Sequence, residues 1–97
     1  MEEKHFVEKD GKKICYFGVI DNYVWFKKTR YTKKYKFYIL KNIREVYNQL
    51  LDKYNYLYTF SYNRKDLNKW HSFIGMIMQE QFIYKNKTIN IWVNKWL

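Results

Sequence analysis

From about Tyr35 the apolar residues change period, and that change limits what the chain can fold into. Phe37, Leu40, Ile43, Tyr47, Leu50, Leu51 and Tyr54 recur at i, i+3, i+4 and i+7, the spacing of an amphipathic helix of about four or five turns. A helix with one apolar stripe needs a surface to cover, and both of its flanks read as strands. Residues 11–21 are apolar almost throughout and predict a central strand, Asp21-Asn22 is a turn signal, and Tyr23–Phe26 opens a second strand. Tyr56–Phe60 predicts a third. Ser61 or Asn63 is positioned to cap a short second helix reaching about Phe73, with Leu67, Trp70, Phe73 and Ile74 as its apolar face and Gly75 as its stop. Met76–Tyr84 and Thr88–Val93 close the chain as a hairpin across Lys85-Asn86-Lys87. The expected order is β-β-α-β-α-β-β in a single domain over residues 1–97. That is an α/β (α+β) fold, one mixed sheet with two helices, the helix 35–53 crossing one face and the hairpin 76–94 at an edge.

Composition removes several classes. Hydrophobic residues at 47% and aromatics at 23% are too abundant for a disordered chain. One Cys and two His give no disulfide framework and no Cys/His zinc site. No apolar run approaches the roughly 18 residues of a membrane span, and Met1-Glu-Glu-Lys lacks the apolar stretch of a secretory signal. Ala and Pro are both absent, although Ala is the best helix former. The favoured residues have A/T-rich codons, so the bias points to an AT-rich Gram-positive bacterium or, more readily, one of its phages.

The net charge of +10 is unevenly placed. Residues 27–41 hold Lys27, Lys28, Arg30, Lys33, Lys34, Lys36 and Lys41 with no acid among them, interleaved with Tyr31, Tyr35, Phe37 and Tyr38, whereas residues 1–10 are net acidic. Such a block is either a solvated face or a surface for an anionic partner, and mutual repulsion among its cations is relieved by phosphate or carboxylate nearby.

Groups for nucleophilic or acid–base chemistry are sparse. Cys15 lies in an apolar strand and reads as a small buried hydrophobe; His5 belongs to the acidic amino terminus and reads as solvated. His71, beside Trp70 on the short helix, has no second His and no acid at triad spacing. Glu45 and Asp52 are placed to pair with basic neighbours such as Lys41. No glycine-rich loop precedes a helix. Tyr54, Tyr56, Tyr58, Phe60 and Tyr62 alternate down one strand, either as a base-stacking platform or, as the sparse aliphatic content favours, as a strand face covering a helix. Trp92 and Trp96 read as core for the same reason.

Residues 14 to 94 resemble the second half of the GNAT superfamily of N-acetyltransferases, in the reduced versions that phage genomes encode. Tyr23-Val-Trp-Phe26 looks like the strand before the cofactor loop, and the helix ending Gln49-Leu-Leu-Asp-Lys-Tyr54 is followed by the strand Leu57–Phe60. Asn63 and the run Leu67-Asn-Lys-Trp70-His71-Ser-Phe73-Ile74-Gly75-Met76 resemble the superfamily's Asn, short helix, aromatic, Leu-Gly-Phe signature, with Met76 for the usual Phe. The family holds the acetyl-CoA pyrophosphate on an Arg/Gln-x-x-Gly-x-Gly/Ala loop at a helix amino terminus. Here the aligned stretch is Arg30-Tyr31-Thr32-Lys33-Lys34-Tyr35, so Lys33 and Tyr35 stand where the family has glycine. The family's first strand and first two helices have no room in the chain, and its general-base Glu has no counterpart. His71 occupies the position of the family's thiolate-protonating Tyr and is the sole catalytic candidate the resemblance leaves.

These observations imply a non-catalytic protein on a truncated GNAT-like scaffold, without cofactor, metal or membrane span. The first reading is an internal virion protein of a bacteriophage that contacts packaged DNA and capsid or core proteins through Lys27, Lys28, Arg30, Lys33, Lys34, Lys36 and Lys41. The alternatives are a host-takeover or anti-defence inhibitor acting on a host protein or nucleic-acid complex in the host cytoplasm, and a divergent acetyl-CoA-dependent N-acetyltransferase. A sheet truncated in this way also exposes an edge and apolar surface that a partner, a second copy of the chain included, could cover.

Overall fold

A computed structural model describes residues 2–95, and Trp96 lies outside them. The elements run β1 (Glu2–Lys9), β2 (Lys12–Ile20), β3 (Tyr23–Lys28), α1 (Lys36–Tyr54), β4 (Tyr58–Tyr62), α2 (Lys65–Ile74), β5 (Ile77–Tyr84) and β6 (Lys87–Val93). The expected order β-β-α-β-α-β-β is present as β2 to β6, an α+β arrangement on one mixed sheet. One further strand, β1, precedes it. The sheet order is β1-β2-β3-β4-β6-β5, and every neighbouring pair is antiparallel except β3 and β4, which are parallel.

Three two-residue turns build the antiparallel parts. Asp10-Gly11, Asp21-Asn22 and Lys85-Asn86 all have positive φ at both positions, the type I′ geometry whose twist matches paired strands. The Asp10-Gly11 turn folds the acidic amino terminus back as an edge strand of mixed charge. His5 is therefore not simply solvated: it pairs with Glu3 and stacks on Phe17 at 5.1 Å. A bulge between Val7 and Glu8 leaves Ile14 without a partner on β1, so Ile14 and Cys15 both enter the core, each 0% exposed.

Both helices cover one face of the sheet. The core joins Ile14, Cys15, Phe17 and Val19 of β2 to Ile39, Ile43, Tyr47 and Leu50 of α1, with Leu57, Ile74, Met76 and Trp92 completing it. Two expected faces are rotated. In α1, Ile39 is buried and Phe37 is 82% exposed, because Ile39, Ile43, Tyr47 and Leu50 form the inward row and Phe37, two residues from Ile39, falls about 200° round the helix. In α2 the inward stripe is Leu67, Trp70, His71 and Ile74. Phe73 points outward, where the Arg44 guanidinium lies over its ring.

The expected caps of α2 divide. Gly75 ends the helix in the left-handed region at φ 108°; its N–H reaches Ser72 and that of Met76 reaches His71, a Schellman closure. At the other end the cap position is Arg64, with no side-chain cap bond. Ser61 instead accepts a bond from Trp92 Nε1, and Asn63 Oδ1 accepts from Asn68 and Asn90. The latter bonds belong to a network that satisfies fully buried Asn90, whose Oδ1 accepts from Gln81.

β1 is tied across the helix face as well as along the sheet. The Glu3 carboxylate accepts bonds from Lys53 Nζ and from Tyr54 Oη, both at the end of α1. The Lys53 bond, with those from His5 and Tyr54, holds the Glu3 carboxyl down at about 2 against an ordinary 4.5. A depressed carboxylate stabilises the fold fully above its ordinary value and loses that contribution as pH falls through the folded one. Stability should therefore decline as pH falls from about 4.5 towards about 2. Urea titrations at stepped pH should show a shallower decline for Glu3→Gln than for the wild type; equal slopes would place the acid sensitivity elsewhere.

Candidate functional site

The basic block begins where β3 ends. Lys27 and Lys28 are the last residues of that strand, and residues 29–35 coil through turns directly into α1. Threonines fix this connection. The Thr29 hydroxyl donates to the Lys13 carbonyl, and that of Thr32 donates to the Ile14 carbonyl, fastening the turn to β2. Thr29 N–H reaches Thr32 Oγ1, while the N–H groups of Tyr35 and Lys36 bond Tyr31 and Lys33. With these donors occupied, the connection is a compact coil that displays side chains.

All seven predicted cations are exposed, and among the described residues none of them forms an ion pair. Arg30 lies over the Tyr31 ring and donates to its hydroxyl, and Lys34 lies over Tyr35. Lys27, Lys28, Arg30, Lys33, Lys34 and Lys36 cluster at the junction of β3 and α1, with Lys41 farther along the helix. The helix has no acid in its first turn, so its positive dipole end adds to the charge rather than being offset.

Two cations not singled out in the sequence join this end. Lys12 lies over the Tyr31 ring at 5.6 Å and Lys9 over Tyr38 at 5.0 Å, because the Asp10-Gly11 turn brings the β1–β2 hairpin against the coil. One acid accompanies them: Asp10 accepts a bond from Tyr35 Oη. The Asp-Gly turn signal was the sequence clue to this neighbourhood.

A cleft lies beside the block. The parallel strands β3 and β4 share one registered pair, Tyr23 with Tyr58, reinforced by Tyr58 N–H to Asn22 O and by Asn22 Nδ2 to Tyr56 O. Beyond that clamp the strands separate, and a cleft of about 680 Å³ opens, lined by Phe26, Lys27, Lys28, Tyr47, Trp70 and His71 among others. The Tyr47 hydroxyl is buried there with no hydrogen-bond partner among the described residues, and burial pushes it up to about 12.

Other candidate groups are quiet. His71 is buried, donates Nδ1–H to the Leu67 carbonyl and stacks on Trp92 at 5.1 Å; burial lowers its proton affinity and favours neutral imidazole. Its hydrogen-bond partner is backbone, not a carboxylate. Cys15 is pushed up to about 11 by burial, which keeps it a thiol. Glu45 and Asp52 are exposed, and the pairing expected with basic neighbours is not found among the described residues, since solvated charges at that spacing gain little by meeting. No group of three or more His, Cys, Asp or Glu that could hold a metal occurs among the described residues.

The alternating aromatics do not share one strand, since Tyr54 ends α1 and Tyr56 lies in the connection before β4, and those on β4 are arranged contrary to the favoured expectation. Thr59 is buried towards the helices, so Tyr58, Phe60 and Tyr62 point to the opposite, uncovered face of the sheet. Trp92 is core, as expected. No protein-family model matches the chain, and no match was found among curated proteins or solved structures.

Leaving a buried hydroxyl unbonded costs about 1–3 kcal/mol. Tyr47→Phe should therefore stabilise the free protein by about 1 kcal/mol or leave it unchanged in denaturant unfolding. A clear loss of stability would show that the hydroxyl has a partner.

Proposed function

We propose that this chain is a non-catalytic, DNA-contacting accessory protein whose phosphate-binding surface is the basic end formed by the β3–α1 coil and the β1–β2 turn. One observation carries the reading: seven exposed cations within residues 27–41, none ion-paired among the described residues, are joined by Lys9 and Lys12 from the neighbouring hairpin. Concentrated like charge is held there by fixed threonine bonds, and phosphate is the counter-charge that relieves it. The A/T-rich codon bias and the resemblance to a trimmed GNAT scaffold support a phage origin, in which the partner would be packaged DNA beside capsid or core proteins. Side chains stand at Lys33 and Tyr35 where the resembled family exposes bare backbone, which favours an extended polyanion over a cradled pyrophosphate.

If about five of these side chains meet phosphates, log K for duplex DNA should fall with log salt at a slope of about −4.5. Lys33→Glu with Lys34→Glu should abolish duplex binding while leaving helicity and melting temperature as in the wild type. A flat response between about 50 and 200 mM salt would overturn the reading.

The cleft favours a second reading, a retained site for an acyl-CoA-type ligand and hence acetyl transfer. Its support is the unpartnered Tyr47 hydroxyl inside an apolar cleft that Lys27 and Lys28 also line. Calorimetric titration with acetyl-CoA tests it directly. Saturable heat would support it; its absence at high micromolar cofactor would dispose of it.

A further inference from the structure

Alternation along the strands separates two faces with different properties. Val24, Phe26, Thr59 and Trp92 face the helices, so Tyr23, Trp25, Tyr58, Phe60 and Tyr62 face away. On that uncovered face the rings form a continuous set. Tyr23 lies 5.5 Å from Tyr58 and 5.7 Å from Phe60, Tyr58 lies 5.7 Å from Phe60, and Phe60 meets Phe82 of β5 edge-on at 6.5 Å. Phe60 is 46% and Tyr62 50% exposed. Aromatic surface of this extent in water calls for an occupant.

Charge at the margin indicates which kind. Lys87 lies over the Tyr62 ring at 5.2 Å, and Tyr62, Arg64 and Lys87 line one shallow polar pocket, in which Arg64 is held by two bonds to the Asp66 carboxylate. Lys27 alternates with Trp25 onto the same face and is also the first cation of the basic block. Glu80, in register with Ile91 and Phe60, also lies on this face; rings at the centre with Lys27 and Lys87 at the rim suit a chain of unpaired bases, each with a π-face and a phosphate. A duplex keeps its bases stacked inside and cannot use the rings.

We propose that this face of the sheet binds single-stranded DNA, with bases stacking on Phe60 and Tyr62 and neighbouring aromatics, and phosphates meeting Lys27 and Lys87. The choice of DNA rests on the reading of the basic block given above; the stacking itself rests on the ring geometry. Lys27 makes the two surfaces continuous, so one strand can leave the aromatic face and run onto the basic coil.

The test uses a fluorescently labelled thymidine oligomer of about twelve nucleotides, within the span of known single-strand sites. Phe60→Ala with Tyr62→Ala should weaken its binding about ten-fold or more, with duplex binding and melting temperature unchanged. On the wild-type protein, an abasic oligomer of equal length should bind about ten-fold or more weakly than the thymidine one, a comparison that does not depend on the variant's folding. Equal binding of the abasic and thymidine oligomers overturns the proposal. So does a uridine ribo-oligomer bound more than about ten-fold more tightly, which would give the face to RNA. A dimer in sedimentation that the double variant dissolves also overturns it, since a second copy would then cover the face. If stacking fails while duplex binding still responds to Lys33→Glu/Lys34→Glu, the phosphate reading survives. If wild-type protein binds neither duplex nor oligomer at low salt, both readings fall.

Discussion

Two antiparallel halves of the one sheet, β1-β2-β3 and β4-β6-β5, are joined along one parallel pair, and that pair is fastened at a single end. Asn22 supplies the fastening twice. Its left-handed backbone completes the β2–β3 turn, its carbonyl accepts from Tyr58 and its side chain donates to Tyr56. Asn94 fixes the same connection from the other side by accepting from Leu57 N–H and donating to the Asn55 carbonyl. Past this clamp the ladder offers no further registered pairs between β3 and β4, so cohesion there comes from side chains. Phe26 against Trp70, and Tyr47 between α1 and the sheet, bridge the gap. Large rings suit that role because they reach farther than aliphatic groups. The Phe26–Trp70 contact and the open cleft thus both follow from a ladder fastened at one end.

Much of this architecture was legible because its signals are local. The α1 period, the Asp21-Asn22 turn, the Gly75 stop and the closing hairpin each depend on a few adjacent residues, and each is found. The unexpected strand β1 had an equally local signal in Asp10-Gly11, masked by the net acidic character of residues 1–10. Charges at an outer strand are compatible with pairing, since one side and one face remain in water. The phase of α1 was harder to read. Its stripe is broad, and whether Phe37 or Ile39 turns inward depends on the rotation at which the helix docks on the sheet. A tertiary quantity of that kind is not written in the helix.

The orientation of β4 shows the same limit more clearly. Alternation revealed that Tyr58, Phe60 and Tyr62 share a face, yet a period of two says nothing about which face is covered. Thr59 and Ser61 stand on the helix side instead, where Ser61 accepts from Trp92 Nε1 and the Trp92 ring stacks on His71. For the basic block, the stretch 27–41 was legible as charge density. The contribution of Lys9 and Lys12 was not, since it depends on which hairpin folds against the coil. Nor could the sequence show that Glu3 would be engaged by Lys53 and Tyr54 at the far end of α1, leaving the cations at the near end without that carboxylate.

The two outer strands of the sheet differ in kind. β1 reads Glu-Glu-Lys-His-Phe-Val-Glu-Lys, with charge at both ends, while β5 reads Ile-Met-Gln-Glu-Gln-Phe-Ile-Tyr with a single charged side chain. A strand docking laterally on β1 would have to place its own side chains among those carboxylates and ammonium groups, whereas β5 offers amides, apolar groups and one glutamate. The sheet therefore has a direction in which it resists growth and one in which it does not. Of the two open edges, β5 is the less guarded by charge.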